Sequence, residues 1–368
     1  MENMRDTKEL YYYTSSDTMR YILTKGDIYA TNLKYMNDGE EYINGLAELR
    51  EVLNEEYKGS AEITKEVFED AVEQQPNIYS ISFSRERDLL SQWSMYAKES
   101  GVSIRMDFSG AAGKEWYEIP KNDSDKKKSV ENSGPHKVYY LTKHAMTKNE
   151  YGKTCRKIIA DIKKGKTVVP VKMLGDIQDG ISGIWQLLAP YVKRKEFFQE
   201  AEYRMTFALN SIEAGAAGSA SSIKVDYRVQ NSVLKPYLDI TRENGWPVKE
   251  IMIGPGFNQK TVYDSVKHFL DNSKIMVSNY SAEKVKENGL FFLKCMDKDN
   301  RLNNAMELEA EWKKAHIRNM KNTEVVQLFN QFIISKRKLL GEQGKILENV
   351  YMSRGGIILS VSEIPYIY

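Results

Sequence analysis

The most constraining feature of the sequence is a strict alternation of residue types over residues 202–209. The apolar residues stand at every second position, and they are Tyr203, Met205, Phe207 and Leu209. The polar residues between them are Glu202, Arg204 and Thr206. Because successive side chains of a strand point to opposite faces, the pattern predicts a strand with one polar face. Continued back by two residues, that face also takes in Glu200.

Two interpretations of this polar face stay open. Groups at every second position of a strand lie about 7 Å apart, so two carboxylates and one guanidinium would line one stretch of sheet. Such a face suits a cleft that binds a polar ligand. The same residues also suit ordinary ion pairs between neighbouring strands, which need no ligand.

Length, net charge and the few cysteines and histidines limit the classes of protein to which the chain can belong. The 368 residues are enough for one large domain with an appendage, and the net charge of +2 gives no global attraction to nucleic acid or membranes. Two distant cysteines and four histidines match no zinc spacing and no Ser-His-Asp triad, so we expect no metal. Scarce cysteine and the lack of a long apolar run predict a cytoplasmic protein that does not contact membranes.

Periodicity along the chain predicts an α+β fold. Strands are expected near residues 10–14, 28–31, 78–84, 102–108, 138–141, 203–209, 225–229, 251–254 and 357–361. Helices are expected near residues 17–26, 63–72, 89–96, 155–162, 181–192 and 262–270. The lysine-rich segment 120–135 is expected to be an exposed loop. From about residue 282, apolar residues recur at helical spacing, which predicts a domain at 1–281 and a mainly helical appendage at 282–368.

Short motifs follow one another in a fixed order over residues 8–280. They are Leu10–Ser15 (Leu-Tyr-Tyr-Tyr-Thr-Ser), Asn37-Asp38 with Glu41, Ser82-Phe-Ser84, Trp93 with Tyr96, Glu200 with Glu202 and Arg204, Pro236-Tyr237, and Ile253-Gly-Pro255. This series resembles a bacterial family, domain-of-unknown-function family 2971. The last ninety or so residues lie outside the resemblance.

The family in turn resembles the ADP-ribosyltransferase superfamily, especially its bacterial toxin and phage-defence branches. The resemblance implies a mixed or antiparallel split sheet flanked by helices, with NAD as a substrate. It implies that Glu202 is the catalytic carboxylate, that Glu200 orients the nucleophile, and that Arg204 holds Glu202 or a phosphate. The NAD-binding residues it implies are Tyr12, Tyr13, Thr14, Asn37, Asp38, Glu41, Ser82, Ser84, Trp93 and Tyr96. Tyr12 stands where the pattern often has His.

The implied activity is an NAD-consuming ADP-ribosyltransferase or NAD glycohydrolase that acts as a toxin or anti-phage effector. Its acceptor, whether protein, nucleic acid or water, stays open, and residues 282–368 are a candidate surface for an antitoxin or regulatory partner. The alternative is a non-catalytic module that binds nucleic acid or a protein partner through the polar cleft and the basic run Lys313–Lys338.

Several motif residues also have structural interpretations. Trp93 and Tyr96 share a helical spacing with leucines and suit core packing. Asn37 and Asp38 precede a glycine and suit a turn, and Glu41 suits the positive end of a helix dipole.

Overall fold

The computed structural model describes the following residues of the chain: 9–36, 42–47, 50, 78–97, 101–109, 115–122, 124–132, 134–141, 152–153, 157, 188–209, 223–230, 232–276, 280–298, 302 and 304–364. Within them the chain is α+β, as the periodicity predicts, and its strands pair mostly antiparallel. Asn37, Asp38 and Glu41 lie outside the described residues, as do the predicted helix at 63–72 and most of those at 155–162 and 181–192.

The strands in chain order are β1 (Glu9–Thr14), β2 (Asp27–Asn32), β3 (Ile78–Ser84), β4 (Val102–Asp107), β5 (Glu115–Lys121), β6 (Ser124–Asn132), β7 (His136–Lys137), β8 (Tyr139–Leu141), β9 (Val192–Arg194), β10 (Glu202–Ala208), β11 (Asp226–Gln230), β12 (Val233–Arg242), β13 (Val248–Ile253), β14 (Tyr351–Met352) and β15 (Ile358–Val361). The α-helices are α1 (Ser16–Lys25), α2 (Leu90–Tyr96), α3 (Gln259–Asn272), α4 (Ala282–Lys298), α5 (Ala305–Lys313) and α6 (Asn322–Leu340). Short 3₁₀ helices occupy Leu33–Tyr35, Ala189–Tyr191, Lys195–Glu200 and Gly341–Asn349.

The chain divides into two compact units, each assembled from separate stretches of sequence. The first comprises the described parts of Asp27–Arg85 and Ser109–Glu243. The second comprises those of Glu9–Gly26, Glu86–Phe108 and Asn244–Tyr368. This division differs from the predicted boundary at residues 281/282. The reason is that β15 pairs with β13, so the C-terminal helices belong with strands from the first third of the chain.

Strands of the first unit pair antiparallel in the order β7, β10, β3, β2, β12, β5 and β6, and β11 also pairs with β12. The lysine-rich segment predicted as a loop instead supplies β6, which forms a hairpin with β5. That prediction was wrong because β6 pairs along its length with β5, whose Tyr117 and Ile119 are buried. The lysine side chains of β6 stay at the surface, where the Lys127 amine lies 3.4 Å from the Glu118 carboxylate on β5.

The register of these strands gives the first unit one apolar and one polar face. The buried apolar face includes Tyr79, Ile81, Phe83, Tyr203, Met205 and Phe207. The opposite face, here called the polar face, runs across five strands. It comprises Glu202, Arg204, Thr206, Ser80, Ser82, Ser84, Tyr29, Thr31, Lys235, Tyr237, Asp239, Asp226 and Arg228. The alternation predicted for residues 202–209 is therefore confirmed in β10, and β3 alternates in the same way.

The second unit has the strand order β14, β15, β13, β4 and β1, with β15 parallel to β13 and the other neighbours antiparallel. Its helices α4, α5 and α6 share a core in which the ring centroids of Trp312 and Phe329 lie 5.1 Å apart. Gly289 of α4 faces this contact so closely that an added Cβ would lie 2.8 Å from the Phe329 ring. The helical character predicted from residue 282 onward is confirmed for α4 to α6.

A buried charge network ties the strands of the second unit together. Oε1 of Glu250 lies 2.6 Å from Nη2 of Arg87, and its Oε2 lies 3.2 Å from Nε of Arg105. Arg105 also pairs with Glu9, and the Ser360 hydroxyl donates to Glu250. Burial raises the pKa of Glu250, but the two guanidinium groups outweigh it and bring the pKa to about 2. The network thus links β1, β4, β13 and β15.

Replacing Glu250 with Gln is expected to lower the free energy of unfolding by about 3–5 kcal/mol, because two buried guanidinium groups lose their shared counter-charge. Urea denaturation would measure the change. Lys260→Gln is the control, because it breaks an exposed pair with Asp264 and should cost less than about 0.5 kcal/mol. Equal, small losses in both variants would contradict a structural role for the network.

Candidate functional site

The segment before β10 differs from the predicted strand. Glu200 ends the 3₁₀ helix Lys195–Glu200, and Ala201 has a left-handed backbone with φ of 44°. The prediction that Glu200 continues the strand was therefore wrong, since β10 begins only at Glu202. The left-handed turn brings Glu200 back beside the strand, so its carboxylate reaches the polar face by another route.

Four charged side chains form a buried group at the start of β10, here called the Glu202 cluster: Lys193, Glu200, Glu202 and Arg204. Arg204 binds Glu202 through two hydrogen bonds, from Nε to Oε1 at 2.6 Å and from Nη2 to Oε2 at 2.9 Å. The Lys193 amine donates to Oε2 of Glu200 at 2.7 Å and to Oε2 of Glu202 at 3.2 Å. Two carboxylates therefore share one ammonium group.

Neighbouring groups fix the cluster in place. Nη1 of Arg204 donates to the Pro190 carbonyl at 2.8 Å, and the Tyr140 hydroxyl accepts from the backbone N–H of Glu202 at 2.8 Å. The Ser84 hydroxyl, opposite Glu202 in the register, donates to the backbone carbonyl of Glu200 at 2.8 Å. The serine strand thus holds the backbone that carries Glu200.

The charges of the cluster keep Glu202 ionised. Burial alone raises its pKa, but Arg204 first and Lys193 second outweigh that effect and hold the pKa at about 2. Burial raises the pKa of the adjacent Tyr140 hydroxyl, so this group stays protonated. Glu202 is therefore a fixed negative charge at neutral pH and cannot act as a proton donor there. Such a charge suits stabilisation of a developing cation.

The predicted site residues fall in both units. The first unit brings Glu200, Glu202 and Arg204 together with the serine strand, where Ser82 lies opposite Arg204. The remaining predicted residues that are described belong to the second unit. They are Tyr12, Tyr13 and Thr14 on β1, and Trp93 and Tyr96 on α2.

Tyr13 and Trp93 have packing roles in the second unit. Their ring centroids lie 4.8 Å apart in an edge-to-face contact, and both side chains are buried. The Tyr13 hydroxyl donates to the Glu86 carbonyl, and Nε1 of Trp93 donates to the Asp88 carboxylate at 2.7 Å. These contacts support the packing interpretation of Trp93, and Tyr96 packs against the same buried cluster.

Sequence analysis missed Lys193 and Tyr140. Lys193 lies in the short strand β9, which pairs in parallel with the β8 segment that carries Tyr140. The only signal was the position of Lys193 in a basic run ahead of the two glutamates, and nothing marked Tyr140. Among the described residues, no group of three or more His, Cys, Asp or Glu is arranged to hold a metal ion.

The low pKa predicts how Glu202 responds to acid. A carboxyl whose pKa is lower in the folded than in the unfolded chain stabilises the fold above its unfolded pKa, about 4.3, and this contribution is lost as pH falls through the folded value. Carboxyl NMR should therefore give Glu202 a midpoint near pH 2, with the resonance assigned through Glu202→Gln. Lys193→Met should raise the midpoint, because it removes one of the two cations. A native midpoint above about pH 4 would contradict this account.

No helix in the described part of the chain has the length and apolar content needed to cross a membrane. Comparison with known proteins found no matching family model, no matching curated protein and no matching solved structure.

Proposed function

We propose that the chain is an NAD-consuming enzyme, an ADP-ribosyltransferase or NAD glycohydrolase, in which Glu202 is the catalytic carboxylate. The observation that carries the proposal is the Glu202 carboxylate itself, ionised and fixed by Arg204 and Lys193 with a second carboxylate alongside. The ordered motifs, which resemble those of family 2971, agree with the same assignment, and an ADP-ribosyltransferase-like fold is part of the proposal.

The chemistry needs a fixed negative charge. Cleavage of the bond between the ribose carbon and the nicotinamide nitrogen sends the bonding electrons to nicotinamide and leaves positive charge on the sugar. Glu202 would stabilise that charge, and a preorganised group of this kind commonly contributes several kcal/mol. Because Glu202 stays ionised, it needs no proton transfer before the reaction.

The second carboxylate has a separate role in this proposal. Glu200 would orient the nucleophile, water or an acceptor group, and take its proton as the new bond forms. Lys193 is a positioning residue, because its ammonium group contacts both carboxylates and fixes their separation. Arg204 positions Glu202 through the bidentate pair. A toxin or anti-phage role, cytoplasmic action and a partner that binds residues 282–368 remain further parts of the proposal.

Nicotinamide release from NAD tests the assignment. The purified protein would be incubated with NAD alone, with cell extract, and with extract from phage-infected cells. Glu202→Gln should lower the rate by about 10²–10³-fold, because it removes the charge that stabilises the sugar cation. Glu118→Gln is the matched control, since this glutamate lies on β5 and pairs with Lys127 at the surface. Its rate should stay at the native value.

Two further results make the test decisive. Glu202→Asp keeps the charge but shortens the side chain, so loss of activity in a folded variant would assign the effect to position rather than stability. A native protein that is inactive under all three conditions would reject the enzyme. Full activity in Glu202→Gln would reject this residue as the catalytic group and leave the cluster as a structural ion-pair network.

A further inference from the structure

The polar face carries a second group of side chains that the proposed chemistry does not use. It lies on β2, β12 and β11 and is called here the Tyr29 cluster: Tyr29, Thr31, Arg228, Lys235, Tyr237 and Asp239. The register places Asp239 opposite Tyr29, Thr31 opposite Tyr237 and Lys235 opposite Arg228. All six therefore share one surface of the sheet.

Aromatic rings form one part of the cluster. The ring centroids of Tyr29 and Tyr237 lie 4.3 Å apart at an interplanar angle of 41°. The guanidinium carbon of Arg228 lies 5.5 Å from the centroid of the Tyr29 ring. Both tyrosines are half-buried, so their rings are partly accessible. Tyrosine rings next to an arginine plane are groups on which nucleobases stack.

Two cations form the second part. Arg228 and Lys235 stand directly opposite each other on β11 and β12, an arrangement that is unfavourable without an anion. Lys235 is only 6% exposed and has no ion pair or hydrogen bond with any described residue. Burial first, and Arg228 second, lower the pKa of its amine. Nη2 of Arg228 donates to Thr31, while its buried Nε has no partner among the described residues.

Asp239 forms the third part. Its Oδ1 is buried and accepts no hydrogen bond from any described residue. The nearby carboxylates have partners: Asp27 accepts from Thr241, and Asp226 pairs with Lys224 at 2.6 Å. Burial, followed by these two carboxylates, raises the pKa of Asp239 to about 6, while Lys224 and Lys127 act in the opposite direction. A sugar hydroxyl would supply the missing donor.

We propose that the Tyr29 cluster binds a free nucleotide, with the phosphate on Arg228 and Lys235, the base against the tyrosine rings and a ribose hydroxyl on Asp239. The phosphate would supply the missing counter-charge and the ribose hydroxyl the missing donor, and the base would stack on the accessible parts of the tyrosine rings. The inference does not rest on the proposed enzyme activity, since the cluster shares no residue with the Glu202 cluster.

Calorimetric titration with AMP, adenosine and inorganic phosphate tests the proposal. AMP should bind the native protein more tightly than either fragment. Arg228→Gln and Lys235→Gln should each raise the Kd for AMP by about tenfold or more, because each removes a charged phosphate contact. Lys260→Gln removes the same charge from a lysine whose side chain is 70% exposed and that contacts no member of the cluster, and should change the Kd less than about twofold. Lys235→Arg should keep AMP binding and the fold.

Several outcomes would overturn the proposal. The site does not exist if AMP shows no saturable binding, or if Lys260→Gln weakens AMP binding as much as Lys235→Gln does. Equal affinity for AMP and inorganic phosphate would show that the base and the ribose make no favourable contact with the cluster. If an eight-nucleotide RNA binds more tightly than AMP, the ligand of the site is a nucleic acid and not a free nucleotide. Glu202→Gln should bind AMP as the native protein does, so failure of the enzyme proposal leaves this one standing.

Discussion

The fold of the first unit depends on acceptors that compensate the charge of one fully buried arginine, Arg204. Arg204 lies on β10, at one end of the polar face, and has no exposed surface. Burying an unpaired guanidinium group has a very high free-energy cost. The surrounding elements must therefore place hydrogen-bond acceptors around it. Glu202 supplies two of its acceptors and the Pro190 carbonyl a third. The segment around Pro190 is thereby held against β10, and Lys193 follows three residues later.

The second unit balances buried charge with a different set of groups. There one carboxylate, Glu250, lies between two guanidinium groups, whereas in the first unit two carboxylates share a lysine. Buried ion pairs contribute little net stability but strongly disfavour arrangements that leave a charge unpaired. Both networks therefore select one strand register. What distinguishes the Glu202 cluster is that a lysine, Lys193, holds its two carboxylates together, whereas in the second unit Glu9 and Glu250 share Arg105.

Strands with a regular alternation of apolar and polar residues could be predicted from the sequence. Positions that depend on a backbone turn or on residues far apart in the chain could not. Glu200 was assigned to β10 because the polar alternation continues through it, yet a left-handed Ala201 interrupts the strand. β12 was not predicted; its Pro236, which lacks a backbone donor and interrupts a strand pattern, lies opposite Tyr227 on the short strand β11. Lys193 reaches the two carboxylates because the 3₁₀ helix Lys195–Glu200 turns the chain back towards it. The apolar periodicity of the sequence does not predict that turn.

The discontinuous second unit has a consequence for how the chain is made. β4 is complete at Asp107, but its neighbour β13 and the parallel strand β15 follow much later, the last ending at Val361. At the usual pace of translation, roughly 5–20 residues per second, β4 leaves the ribosome some tens of seconds before β15. During that interval the sheet that buries Val102, Ile104 and Met106 is incomplete, although β1 is already available to pair with β4. We therefore expect chaperones that bind apolar strands to assist the nascent chain.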